Sequence, residues 1–193
     1  IPNIGESSFN CYAKSGPMTR TVKDCAIMFN LMTGPDLRDH NSLIDTMKIQ
    51  IGDRDLTGAK IAFSMDLGCY DVSEDVQRET AQSIDALRLA GAEVNDIDVK
   101  WAGELIDLAH GNQEVLFATF LNDTVTKYGN LVSDYVPQLL ETANSFSADT
   151  LSKSFLEAGK VWRSHLAPLF QNYDAIITPT TTYTDIPATG WQK

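Results

Sequence analysis

Residues 60–99 read KIAFSMDLGCYDVSEDVQRETAQSIDALRLAGAEVNDIDV, and this stretch decides the fold. Lys60-Ile61-Ala62-Phe63-Ser64 is a short apolar run of the kind that enters a buried sheet, and Asp66-Leu67-Gly68 breaks it. Ser73, followed by Glu74 and Asp75, places a cap and two anions where a helix dipole favours them. Val76, Thr80, Ile84 and Leu87 recur at helical spacing as an inner face, and Gly91 supplies the stop. Glu93 to Val99 reads as a second strand. Strand, helix and strand in one sheet imply a parallel pair joined by a right-handed crossover.

Upstream, residues 1–15 are polar and without a clear period. Thr21 is a good helix N-cap, and Asp24 three residues on completes a pair resembling a capping box. Val22, Cys25, Ala26, Phe29 and Met32 repeat as one apolar face until Gly34-Pro35 ends the helix. Residues 36–57 are charged and loop-like. Downstream the chain is mostly helical. Leu105, Leu108, Ala109, Leu116 and Phe120 lie on related faces of a helix over Trp101–Tyr128, interrupted by Gly103 and Gly111. Val132, Tyr135, Val136, Leu139, Leu140 and Ala143 follow the helical period, with Pro137 marking either a start or a kink. Ser147 caps a further helix carrying Leu151, Phe155, Ala158, Trp162, Leu166 and Leu169. Asp174-Ala175-Ile176-Ile177-Thr178 then reads as a third buried strand, halted at Pro179.

Bulk composition narrows the function. Fifteen basic residues against 26 acidic ones give a formal net charge of −11 over 193 residues. Such a surface repels phosphate backbones, which argues against nucleic acid as a partner. No apolar run approaches the roughly 20 residues that span a bilayer, and the opening Ile1-Pro2-Asn3 carries no targeting pattern. Cys11, Cys25 and Cys69 have no paired spacing and read as free thiols of a reducing cytoplasm. Zinc-hydrolase, EF-hand, P-loop and dinucleotide-binding signatures are all missing, so neither a metal nor a cofactor is expected. His40, His110 and His165 have no serine elbow beside them and read as surface or core histidines.

Two local features are more specific. Gly16-Pro17-Met18-Thr19-Arg20-Thr21-Val22-Lys23-Asp24 combines a tight turn with a capped helix start, and Gly16, Pro17, Arg20 and Asp24 are assigned to structure. Thr178, Pro179, Thr180 and Thr181 follow a strand's carboxyl end, the place where parallel sheets gather ligands. They are the candidates for the wall of a substrate pocket, although a threonine-rich loop also makes ordinary local hydrogen bonds.

These features, taken with four collinear blocks, resemble the amidase-signature family. The first block runs from Gly16 through Asp24 to Leu31-Met32-Thr33-Gly34-Pro35-Asp36 and Arg38-Asp39. The second is Leu56-Thr57-Gly58-Ala59-Lys60-Ile61-Ala62-Phe63-Ser64 with Asp66-Leu67-Gly68. Val72-Ser73-Glu74-Asp75-Val76 through Leu89-Ala90-Gly91-Ala92-Glu93-Val94 is the third, and Tyr173-Asp174-Ala175-Ile176-Ile177-Thr178-Pro179-Thr180-Thr181 the fourth. The resemblance implies a three-layer α/β/α fold, of which this chain would be a parallel-type sheet portion flanked by helices. It also implies hydrolysis of a carboxamide C–N bond through an acyl-enzyme, using a serine nucleophile, a second serine in a cis peptide linkage and a lysine base.

In the family those catalytic groups lie upstream of the Gly-Pro-Met-Thr-Arg block. Ser7, Ser8, Lys14 and Ser15 offer the right residue types but lack the glycines that let backbone amides approach an oxyanion, so no catalytic residue is assigned here. The expectation is therefore residues 1–193 as one incomplete domain, with 1–15 and 185–193 peripheral or mobile. It would be inactive alone, and its incomplete sheet would be open to self-association. The parent would be a metal-independent cytoplasmic amidase acting on a small-molecule amide. Two alternatives stand beside it: a non-catalytic α/β binding module, and part of a glutamine-dependent amidotransferase subunit working with partner proteins.

Overall fold

The computed structural model describes residues 1–2, 15–52, 55–99 and 103–185. The chain divides into two compact units, residues 1–54 and 55–193. The expectations for Ser7, Ser8, Lys14, Cys11 and Trp101, and for nearly all of the two terminal segments, lie outside the described residues.

In the first unit, helix α1 spans Val22–Met32. Thr21 caps it as its chemistry requires: the Asp24 N–H donates to Thr21 Oγ1 at 3.1 Å, worth about 1 kcal/mol to the helix. Gly34 follows at φ +144°, outside the range comfortable for a residue with a Cβ. The expected apolar face is only partly covered. Ala26 is buried and Cys25 and Phe29 are half-buried, but Val22 is 88% exposed and Met32 also faces solvent. Beyond the helix, Asn30 uses its side-chain amide as a strand would use its backbone. Its Nδ2 donates to Ile49 O at 2.8 Å and its Oδ1 accepts the Ile49 N–H at 2.7 Å. This fastens an otherwise irregular segment to α1. Asp36 and Arg38 form an exposed pair at 2.7 Å, which holds the Asp36 carboxyl at about 2.

The second unit is built on a three-stranded parallel sheet of order β2-β1-β3. Strand β1 is Lys60–Phe63, β2 Glu93–Asp96 and β3 Ala175–Ile177. In register, Lys60 to Phe63 lie opposite Glu93 to Asp96 on one side, and Ile61 to Phe63 opposite Ala175 to Ile177 on the other. β1 is central, and its Ile61, Ala62 and Phe63 are all buried. That is why it reads as a continuous apolar run and not as an alternation. Strand β2 stops at Asp96, three residues short of the expected end at Val99, although Val99 itself is buried.

Helix α2, Glu74–Leu89, makes the crossover between β1 and β2. Ile84 is buried and Val76, Thr80 and Leu87 are half-buried, so the face assigned from spacing is the face turned inward. Gly91 ends the connection at φ +96°, where a Cβ would stand 2.9 Å from Thr57 Oγ1 and 3.1 Å from Thr57 N. Both the backbone conformation and the close approach require glycine there.

Helices α3 (Gly103–Tyr128), α4 (Tyr135–Ser145) and α5 (Ala148–Val161) form the helical layer. Pro137 falls in the first turn of α4, so it starts the helix and does not kink it. Ala118 of α3 packs with Leu139 and Ala143 of α4, with Val115, Leu121 and Leu140 around them. The side chains of Leu105, Leu108, Ala109, His110 and Phe120 lie outside the described set.

The third helix of this layer departs from its expected pattern in two ways. It is not continuous: a π turn at Trp162–Leu166 separates α5 from α6 (Ala167–Phe170). Its inner face follows the expected spacing at Leu151, Ala158, Leu166 and Leu169, all half-buried, but not throughout. Phe155 and Trp162 are exposed, whereas Ser154 is buried. The reason is polar. Ser154 Oγ donates to Leu151 O at 2.7 Å and accepts from Asn112 Nδ2 of α3 at 3.0 Å. Leaving that amide's N–H group unpaired would cost about 1–3 kcal/mol, which favours turning Ser154 toward α3. Trp162 and Phe170 instead face each other across the π turn, ring centroids 6.1 Å apart.

Two stability measurements test this packing. Gly91→Ala is expected to lower unfolding free energy by about 2 kcal/mol or more in urea titrations. Ser154→Ala should destabilise by about 1–3 kcal/mol by orphaning the Asn112 amide, and the double change with Asn112→Leu should recover part of that loss.

Candidate functional site

The site forms where β1 and β3 end. At the close of β1, the Ser64 N–H donates to Ile177 O at 3.1 Å, and Phe63 O accepts the Ile97 N–H at 2.9 Å. The two outer strands thus clamp the last residues of the central one. At the opposite end, Asp174 holds β3 to β1. Its N–H donates to Lys60 O at 2.8 Å, and its Oδ2 accepts the Lys60 N–H at 2.8 Å. With both ends tied, the exits of β1 and β3 are fixed side by side.

Leaving β1, the chain makes a tight loop. The Leu67 N–H donates to Ser64 Oγ at 3.1 Å, and the Gly68 N–H donates to Asp66 Oδ1 at 2.7 Å. Asp66 O accepts both the Cys69 N–H at 3.1 Å and the Tyr70 N–H at 2.9 Å. These bonds force two successive left-handed residues, Leu67 at φ +51° and Gly68 at φ +69°. Glycine adopts that region freely; for leucine it costs roughly 1–2 kcal/mol. Burial, with the Asp66 carboxylate nearby, pushes the Cys69 thiol above its ordinary value, so it is not poised as a thiolate nucleophile.

Leaving β3, the threonines bond locally. Thr178 Oγ1 donates to Pro179 O at 3.3 Å, and Thr181 Oγ1 donates to Tyr183 O at 3.0 Å. The segment then crosses to the start of α2, where Thr182 O accepts the Ser73 N–H at 2.9 Å and Tyr183 Oη donates to Asp71 Oδ2 at 3.4 Å. Between the two loops lies an open cleft of about 410 Å³. Met65, Asp66, Leu67, Tyr70 and Val72 line it from the β1 loop; Thr178, Pro179, Thr180, Thr181, Thr182 and Tyr183 line it from the β3 loop.

All four residues singled out at the end of β3 therefore line one cleft. Sequence reasoning missed the lining from the β1 loop. Asp66-Leu67-Gly68 registers only as a strand break, although the rule that points to the end of β3 applies equally to the end of β1. Gly16, Pro17, Arg20 and Asp24 lie in the other unit, where Arg20 is exposed and forms no ion pair among the described residues. Among the described residues, no group of three or more His, Cys, Asp or Glu side chains is gathered as a metal site would need. Nor is any helix there long and apolar enough to cross a membrane.

A sheet that gathers its loops at one edge in this way is a familiar α/β arrangement, and comparison with known proteins narrows it. The Amidase family model matches residues 6–190, and the chain belongs to that family. It is 26% identical over 176 residues to an acylamidase of Rhodococcus erythropolis, covering 89% of this chain and 36% of that protein. It is 28% identical over 192 residues to a glutamyl-tRNA(Gln) amidotransferase subunit of Pediococcus pentosaceus, covering 86% of this chain and 39% of that relative. The crystal structure of a bacterial aryl acylamidase of the amidase signature family superposes with a TM-score of 0.71 at 20% identity, over 89% of this chain and 37% of that one. That likeness shows the fold. The chain thus spans well under half the length of these relatives.

The loop after β1 is testable by itself. Ser64→Ala removes the acceptor of the Leu67 N–H and should cost about 1–2 kcal/mol. Amide exchange should speed up at Leu67 and its neighbours before it does so in α2.

Proposed function

We propose that the polypeptide to which this chain belongs hydrolyses a carboxamide C–N bond through a serine acyl-enzyme, and that residues 178–181 form part of the wall of its substrate pocket. The observation that carries this reading is the cleft at the carboxyl ends of two parallel strands in a member of the amidase family. Its volume falls within the roughly 300–1,000 Å³ of small-molecule sites. Threonine hydroxyls can each accept as well as donate, so the bonds that Thr178 and Thr181 make to nearby carbonyls leave acceptor capacity facing a ligand. The nucleophile and base are assigned to sequence upstream of this chain, following the family order in which they precede the Gly-Pro-Met-Thr-Arg block. On this reading the enzyme works in the cytoplasm without a metal, on a small uncharged amide.

A second reading is favoured by the similarity to the amidotransferase relative. There the same pocket would release ammonia from glutamine inside an assembly. Activity that appears only with partner proteins would select that alternative over free amide hydrolysis, and a pocket that binds without turnover would mark a binding module.

Thr178→Ala and Thr180→Ala in the complete polypeptide are expected to lower kcat/KM about tenfold, the loss of one hydrogen bond of ~1.4 kcal/mol. Unchanged kcat and KM in both variants would remove the cleft from the substrate pocket. The isolated chain should show no turnover.

A further inference from the structure

Leu67 occupies a backbone conformation that its own chemistry disfavours. Its φ of +51° lies in the left-handed region, and it is the non-glycine residue found there among the described residues. Gly68 beside it, at φ +69°, shows what such a position ordinarily takes. The loop enforces the conformation through the hydrogen bonds that Ser64 and Asp66 accept from it, with Ser64 itself buried. A glycine would satisfy the same bonds at lower cost, so the leucine is explained by its side chain and not by the turn. That side chain is only half-buried, so it is not a core residue. It lines the cleft from the same loop as Met65, Tyr70 and Val72, with the threonine loop lining it too. Strained non-glycine residues gather at ligand sites, where the surrounding structure holds them.

We infer that Leu67 is a specificity-determining residue, holding one apolar substituent of the carboxamide substrate against the wall formed by Met65, Leu67, Tyr70 and Val72. This rests on the cleft being the substrate pocket. The β3 loop supplies acceptors and donors: the Thr180 and Thr182 hydroxyls spend no hydrogen bond on another side chain among the described residues. The pocket is therefore two-faced. It suits an uncharged amide with a flat or branched apolar group. It disfavours one that puts an anion on the leucine side, where Asp66 would repel it and no lining residue carries a positive charge.

The test uses the complete polypeptide with acetamide as the small reference, acetanilide carrying the apolar group on nitrogen, and benzamide carrying it on carbon. Two variants keep the backbone conformation while changing the wall. Leu67→Gly removes the side chain, and Leu67→Asn keeps its approximate size, tolerates the left-handed region and makes it polar. Both should fold with a thermal midpoint no lower than that of the unaltered protein. Both should also lower the kcat/KM ratio of the larger amide to acetamide about tenfold for acetanilide or for benzamide, the discrimination that lost apolar contact commands. Ratios unchanged for both pairs, while Thr180→Ala still alters kcat/KM, would overturn the role of Leu67 and leave the pocket in place. If Thr180→Ala and both Leu67 variants all left every constant unchanged, the pocket assignment would fall as well, and this inference with it.

Discussion

The structure of the larger unit depends on β1 being paired on both sides. A parallel strand has no short route to its neighbours, so each pairing is made by a crossover: α2 on one side and the entire helical layer on the other. Ile61, Ala62 and Phe63 of that central strand are buried, and the crossovers decide where the chain emerges. With Asp174 bonded twice to Lys60 at one end and Ser64 bonded to Ile177 at the other, β1 and β3 release their loops at one edge. The cleft is a product of that register. A slip of one residue would exchange the two faces of β3 and carry the threonine loop away from Leu67.

The helical layer plays a different part. Its packing is mostly apolar, through Ala118, Leu139 and Ala143, but the Asn112–Ser154 pair fixes how α5 is rotated against α3. Asn112 Oδ1 remains buried without a partner, an arrangement that an all-apolar interface would avoid. Burying such a pair brings little net stability, yet it discriminates strongly against other rotations of the helix, since any of them would leave both groups unpaired.

Much of this was legible in the residues, and where it was not the reason is physical. Caps and stops act locally, so Thr21 and Gly91 mark helix limits without knowledge of the rest of the fold; Ser73 takes the N-cap position of α2, but its Oγ makes no capping hydrogen bond. The apolar run of β1 announces a strand covered on both faces, and Ile84 marks the inner side of α2. The burial of Ser154 in place of Phe155 was hidden because its partner lies 42 residues away, and a period of apolar residues carries no trace of that. The π turn was hidden likewise, since Trp162 and Leu166 suit a regular helix equally well. On the site, Thr178 to Thr181 stand out through a topological rule. Leu67 does not, because a left-handed leucine is signalled by nothing except the hydrogen bonds that hold it.

The pairing of Lys60 with Asp174 joins residues 114 positions apart. During synthesis at about 5–20 residues per second, β1 and β2 emerge roughly ten seconds before β3 exists. Through that interval the far edge of β1, apolar and hydrogen-bond-hungry, stands open to any extended chain nearby. Pairing with β3 is therefore the late step that closes this edge of the sheet.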